Sequence, residues 1–210
     1  PPSNGPCILV SNIVEELCKP DYISKLFGVY GDVMRVKVLR NKPDCCLIQM
    51  YKPHQATQCK NFLDQAKFGG QKVCVSFSRI DTLKMPQDNG HENDQMTKDF
   101  TKTAVHRFRN VQTAAKLLKN LCPPTPLLHI ANVPDEMKRE ELKQYFVDNG
   151  FTVKDIEECK AGSGMYFVYM PNSDDAAVAL AKLHNTSPEG YETKNRQGLC
   201  ISFSNRRVRD

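Results

Sequence analysis

The chain has 210 residues, enough for one large domain or two small ones. Its hydrophobic share of 40% and charged share of 25% sit near globular norms and exclude wholesale disorder. No apolar run approaches the roughly 18 residues of a membrane-spanning helix, and the opening PPSNGPCILV lacks the basic start and long apolar core of a signal peptide. Nine cysteines form an odd set with irregular spacing and no CxxC, which argues against a disulfide framework, a zinc knuckle or a redox dithiol. Reduced, partly buried thiols of a cytosolic or nuclear protein are expected instead. The formal net charge of +5 is uneven, with +5 in residues 1–80, +2 in 81–126 and −2 in 127–210. A polyanion partner is expected first at the N-terminal part.

The chain repeats itself. CILVSNI at 7–13 returns as LLHIANV at 127–133, and CCLIQM at 45–50 as MYFVYM at 165–170, both at an offset of 120. Ala56 and Leu63 match Ala176 and Leu183, and VSFS at 75–78 returns as ISFS at 201–204. Two related domains follow, spanning residues 1–84 and 127–210, with a connector at 85–126.

In chain order, the first copy reads as a strand at 7–13 and a helix at 19–27 carrying Tyr22, Ile23, Leu26 and Phe27 at helical spacing. Strands at 33–39 and 45–50, a helix at 55–63 and a strand at 73–77 complete it. In the connector, 85–95 is polar and reads as a mobile loop, whereas Phe100, Val105, Phe108, Leu118 and Leu121 exceed the apolar content of a tether. Val111, Ala114, Ala115, Leu118 and Cys122 fall near one helical face before Pro123-Pro124, so the connector is expected to pack between or beneath the domains. The second copy reads as strand 127–133, helix 138–147, strands 153–159 and 165–170, helix 174–183 with Ser173 or Asp174 as N-cap, and strand 199–203. Gly31 and Gly150 stand where the first helix of each copy should stop.

That order is α+β: two βαββαβ ferredoxin-like units, each with both helices on one sheet face. The open face then decides function. The RNA recognition motif (RRM) uses this topology, with a hexamer on the first strand and an octamer on the third. ILVSNI at 8–13 and LHIANV at 128–133 fit the hexamer, with Asn12 and Asn132 at its fifth position. GMYFVYM at 164–170 fits most of the octamer, PDCCLIQM at 43–50 only its apolar end. The hexamer's usual aromatic is Leu9 in the first copy and His129 in the second, and the octamer's two exposed aromatic positions hold Cys45 and Leu47, then Met165 and Phe167.

Unusual strings sharpen the resemblance: LFGVYGDVMRVKVL at 26–39, MTKDF at 96–100, HRF at 106–108 and CPPTPLLHIANVP at 122–134. Across essentially its whole length the chain resembles the third and fourth RRMs of the polypyrimidine tract-binding protein family. The resemblance implies single-stranded, CU-rich pyrimidine RNA as partner, chiefly in the nucleus, and regulation (usually repression) of alternative splicing. It further implies domains packed back to back through helices and linker, so that one RNA reaching both is looped. Protein co-regulators are admitted as partners; no cofactor, metal or membrane is expected, and no catalytic residue.

Period-two alternation assigns the RNA-binding candidates. In the first copy these are Leu9, Ser11, Arg35, Lys37, Arg40, Cys45, Leu47, Gln49, Ser78 and Arg79; in the second, His129, Met165, Phe167, Tyr169, Ser204, Asn205 and Arg206. Leu9, Leu47, His129 and Phe167 would lie beneath bases; Arg35, Lys37 and Arg40 would neutralise phosphates; Gln49, Ser78 and Ser204 would read base edges. Asp155 and Glu157 stand where Arg35 and Lys37 stand in the first copy, so weaker binding is expected of the second, with Arg206, Arg207 and Arg209 as compensation. The competing class is a protein-interaction RRM pair with incidental RNA contact. An enzyme finds little support, because the five histidines form no metal or triad spacing and no phosphate-cradling glycine loop is present.

Overall fold

The computed structural model describes residues 4–86, 96–103, 106–195 and 197–206. Most of the expected loop at 85–95, together with Val105, Arg207 and Arg209, therefore lies outside the described residues. The chain divides into two compact units, Pro1–Lys119 and Asn120–Asp210.

The first unit runs β1 (Cys7–Ser11), α1 (Pro20–Phe27), β2 (Val33–Leu39), β3 (Lys42–Met50), α2 (Pro53–Leu63), β4 (Lys67–Phe68), β5 (Gln71–Lys72), β6 (Cys74–Phe77), β7 (Thr97–Asp99) and α3 (Val111–Lys119). Its antiparallel main sheet has the order β6-β1-β3-β2-β7. Proline opens both α1 and α2 at the first helical position, where its missing N–H costs nothing. The apolar stripe of α1 (Ile23, Leu26 and Phe27) is almost fully buried with Ile8, Val10, Val36, Cys46 and Ile48. Each such side chain contributes about 1.5–3 kcal/mol.

The second unit runs β8 (Leu127–Ala131), α4 (Arg139–Asp148), β9 (Asp155–Glu158), β10 (Tyr166–Tyr169), α5 (Ser173–Leu183) and β11 (Cys200–Phe203), with sheet order β11-β8-β10-β9. Leu128, Ile130, Leu142, Phe146, Val168, Leu180 and Ile201 fill its core. Both units thus have the expected βαββαβ order and α+β class.

Several local expectations are corrected. The N-cap of α5 is Asn172, not Ser173 or Asp174, and its side-chain oxygen accepts from the Asp175 N–H at 2.8 Å. α1 stops at Gly28; Gly31 is needed for a different reason, since a Cβ there would come within 2.5 Å of the Gln55 Cβ. Gly150 does end α4, with φ of +87°. The strand expected at 153–159 is shorter, Asp155–Glu158. A hairpin of β4 and β5 around Gly69-Gly70 went unread.

The connector differs most. Its residues 97–99 form β7, paired to β2 with Arg35 opposite Asp99 and Lys37 opposite Thr97. Phe100, expected between domains, donates its N–H to the Met34 carbonyl of the first unit at 2.7 Å and is buried. The Phe108 N–H bonds the buried Asp32 carboxylate at 3.1 Å, and His106 Nε2 lies 2.9 Å from the Val33 carbonyl. The helix expected from Val111 onward exists, but none of its residues is buried: Val111 is 82% exposed and Leu118 43%. Leu121 is half-buried, and Cys122, expected on that helix, is buried in the second unit with its thiol toward the Phe203 carbonyl. None of the nine cysteines, all among the described residues, forms a disulfide, and burial pushes the Cys7 thiol up to about 11.

One device recurs at the end of the first strand of each unit. Asn12 and Asn132 sit in the left-handed region, at φ of 61° and 62°. Asn12 donates to the Lys72 carbonyl at 2.8 Å, and Asn132 to Gly198 O and Asn195 Oδ1, each at 2.7 Å. Asparagine tolerates that backbone where most residues do not, and its amide ties down the segment before the last strand. The hexamer asparagines are therefore structural pins. Asn132→Ala should cost about 2–3 kcal/mol and Asn132→Gly about 1, because glycine loses the bonds but escapes the strain. Urea denaturation of both variants measures the difference.

Candidate nucleic-acid interface

The helices cover one face of each sheet, and alternation presents the candidates on the other. In the first unit Leu9 and Leu47 are direct cross-strand partners on β1 and β3, both half-buried. They form a compact apolar platform at the sheet centre. Ser11 and Lys37 are also half-buried there, and Arg40 is exposed at the tip of the β2–β3 hairpin. Ser78 is half-buried and Arg79 exposed beyond β6.

Three first-unit candidates are committed to internal partners. Cys45 is 8% exposed, its thiol 3.5 Å from the Asp44 carboxylate, so it fills space and offers no platform. Gln49 Oε1 accepts from the Leu83 N–H at 2.9 Å. Arg35 donates to the Leu83 carbonyl at 2.8 Å and pairs with Asp99 at 3.2 Å. Leu83, 2% exposed, is thereby fastened across the outer part of the open face. Much of Arg35's charge is already answered.

The second unit has the larger platform. His129 and Phe167 are cross-strand partners, their ring centroids 5.5 Å apart in an edge arrangement. Burial lowers the His129 pKa, keeping the imidazole neutral at pH 7. Met165 stands just outside β10, 37% exposed, and Tyr169 donates its hydroxyl to Glu157 at 3.0 Å. Glu157 also lies 3.7 Å from Arg206, whose guanidinium sits 4.8 Å above the Phe167 ring. Asp155 is engaged by Arg139 at 2.7 Å, and that hydrogen bond lowers its pKa. The acids read as repelling phosphate are thus each paired within their own unit. Ser204 is half-buried, and Asn205 is exposed.

Sequence reasoning missed some of this face. Ser76 and Ser202 lie directly opposite Leu9 and His129 on the neighbouring strands; alternation along VSFS and ISFS could have found them. Thr97 and Asp99 join the first face through β7, whose three residues carry little strand signal. Leu83, an isolated apolar residue after the last strand, gave none. Among the described residues no group of three or more His, Cys, Asp or Glu could hold a metal ion, and no helix is long and apolar enough to cross a membrane.

The family described as RNA recognition motif (RRM, RBD or RNP domain) matches residues 1–103, and a second model of the same motif matches 128–194. The chain belongs to the RNA recognition motif family. Its two RRMs stand in tandem and are similar to those of polypyrimidine tract-binding proteins. Identity to polypyrimidine tract-binding protein homolog 3 of Arabidopsis thaliana is 31% over 189 residues, covering 90% of this chain and 41% of that protein. Identity to heterogeneous nuclear ribonucleoprotein L of Mus musculus is 26% over 214 residues, covering 96% of this chain and 35% of that protein. The chain therefore spans less than half the length of either relative. Among solved structures, the first two RRM domains of yeast poly(U) binding protein Pub1 align over 95% of this chain and 99% of theirs, at 15% identity and a TM-score of 0.33. The Sxl-Lethal protein/RNA complex aligns over the same shares at 14% and 0.34.

His129 makes the second RRM sensitive to acid. Because its folded pKa lies below the ordinary 6.5, the unfolded chain takes up the proton first. The stability it lends is complete above 6.5 and declines as pH falls through that value. Burial pushes His106 of the first unit in the same direction. Melting temperature should therefore drop between about pH 7.5 and 5.5, and His129→Gln should flatten part of that slope.

Proposed function

We propose that the chain binds single-stranded, CU-rich pyrimidine RNA through the open faces of both RRMs and thereby regulates, mainly represses, alternative splicing in the nucleus. The observation that carries this reading is the pair of platforms, Leu9 with Leu47 and His129 with Phe167, each set in register on adjacent central strands. Base stacking on such a surface contributes about 1–3 kcal/mol per aromatic contact. Faces with few large aromatics suit small pyrimidines. The similarity to polypyrimidine tract-binding protein homolog 3 supports the choice of tract.

The roles divide by chemistry. Leu9, Leu47, His129, Phe167 and Met165 hold bases; Lys37, Arg40 and Arg79 meet phosphates; Ser11, Tyr169, Ser78, Ser204 and Asn205 offer hydrogen bonds to base edges. A single strand engaging both RRMs is part of the same reading. Two CU blocks joined by a spacer should then bind more tightly than either block alone.

Lys37→Glu should weaken binding to every pyrimidine strand alike and lower the salt slope by about 0.7, the contribution of one single-strand phosphate contact. Fluorescence anisotropy with CU-rich, A-rich and G-rich strands at several salt concentrations measures both effects. Equal affinity for all three would remove the pyrimidine preference, and no salt-dependent binding at all would favour a protein-interaction module.

A further inference from the structure

In the second RRM the ring that would stack a base already carries a cation. The Arg206 guanidinium lies 4.8 Å from the Phe167 centroid, its Nη1 is 3.7 Å from a Glu157 oxygen, and its backbone N–H is bonded to Ser204 Oγ at 3.2 Å. Glu157 is the cross-strand partner of Phe167, and the carboxylate oxygen nearest Arg206 also accepts the Tyr169 hydroxyl. The serine turn aims the arginine, the carboxylate holds it, and the ring receives it.

A base and a guanidinium cannot both lie flat on the same side of one ring at contact distance. We propose that Arg206 is a tethered occupant of the Phe167 ring, displaced by an incoming base, and that the freed guanidinium then takes a phosphate of the same strand. This rests on the RNA-binding reading above and adds an exchange at one of its sites. The exchange is feasible because each contact to be broken is weak: an exposed cation–π contact and a long ion pair at groups 44% and 48% exposed. The new contacts are stronger in kind, since a base offers more stacking area and a phosphate takes arginine through two parallel hydrogen bonds. Glu157 is then a positioning residue, weakening RNA binding chiefly by retaining Arg206.

Retention and simple repulsion of phosphate make different predictions, and a double-mutant cycle separates them. The full chain is titrated with a short CU-rich RNA while NMR signals of the Phe167 ring and the Arg206 side chain are followed. In the free chain the Arg206 methylene protons should be shifted upfield by the ring and should move back as RNA is added. Glu157→Gln should raise affinity at the second RRM about threefold, the scale of one exposed ion pair. In combination with Arg206→Ala the same change should have no effect. An equal gain with and without Arg206 would establish repulsion and overturn the proposal, as would an Arg206 signal that RNA leaves unmoved while Phe167 shifts. If RNA fails to shift Phe167 in the unmodified chain, the RNA-binding reading of this RRM falls as well, so the two failures are distinguishable.

Discussion

Alternation along the central strands commits Ile8, Val10, Cys46 and Ile48 in one unit, and Leu128, Ile130, Tyr166 and Val168 in the other, to the side covered by helices. Slipping any of these strands by one residue would turn a fully buried row to solvent, at about 1.5–3 kcal/mol for each large side chain. Register is therefore fixed by the core. The opposite row, including Leu9, Leu47, His129 and Phe167, has its position dictated by neighbours whose side chains point the other way. The open face is free to vary in chemistry but not in geometry.

The segment after the last strand shows how the two units use that freedom. In both, a serine N–H bonds the first residue of the first strand, Ser78 to Cys7 and Ser204 to Leu127. In both, the serine hydroxyl accepts the N–H two residues on, from Ile80 or Arg206. The same serine turn thus follows β6 in one unit and β11 in the other. The first unit then anchors Leu83 to Gln49 and Arg35, covering the outer strands with apolar surface. The second lays Arg206 on Phe167. One backbone device thus delivers a hydrophobic cover in one case and a displaceable cation in the other.

The fold was legible because its signals are local and repeated: strand alternation, helical spacing in α1, and two copies at a fixed offset. Asn172 rather than its neighbours caps α5 because the N-cap is defined by backbone geometry, which adjacent polar residues leave ambiguous. β7 was missed because three residues, Thr97–Asp99, form a strand only through the exposed edge of β2 that awaits them. The apolar count of the connector was read correctly as demanding burial for Phe100, but composition cannot say against what.

At the candidate site, alternation along the strands could be read from the sequence, whereas the pairing of the charged side chains could not. Net charges of +5 and −2 suggested a strong and a weak phosphate binder. Pairing alters that contrast from both sides. Arg35 is spent on Asp99 and the Leu83 carbonyl, while Asp155 is matched by Arg139 and Glu157 by Arg206. An ion already paired within a few ångströms projects little field beyond a Debye length of about 8 Å, so a phosphate approaching either face meets local pairs before it meets the sum. The electrostatic difference between the RRMs therefore reduces to a few side chains, chiefly Lys37 on one face and the Arg206–Glu157 pair on the other. What separates them more sharply is the platform: two leucines in register, against an imidazole and a phenyl ring under an arginine.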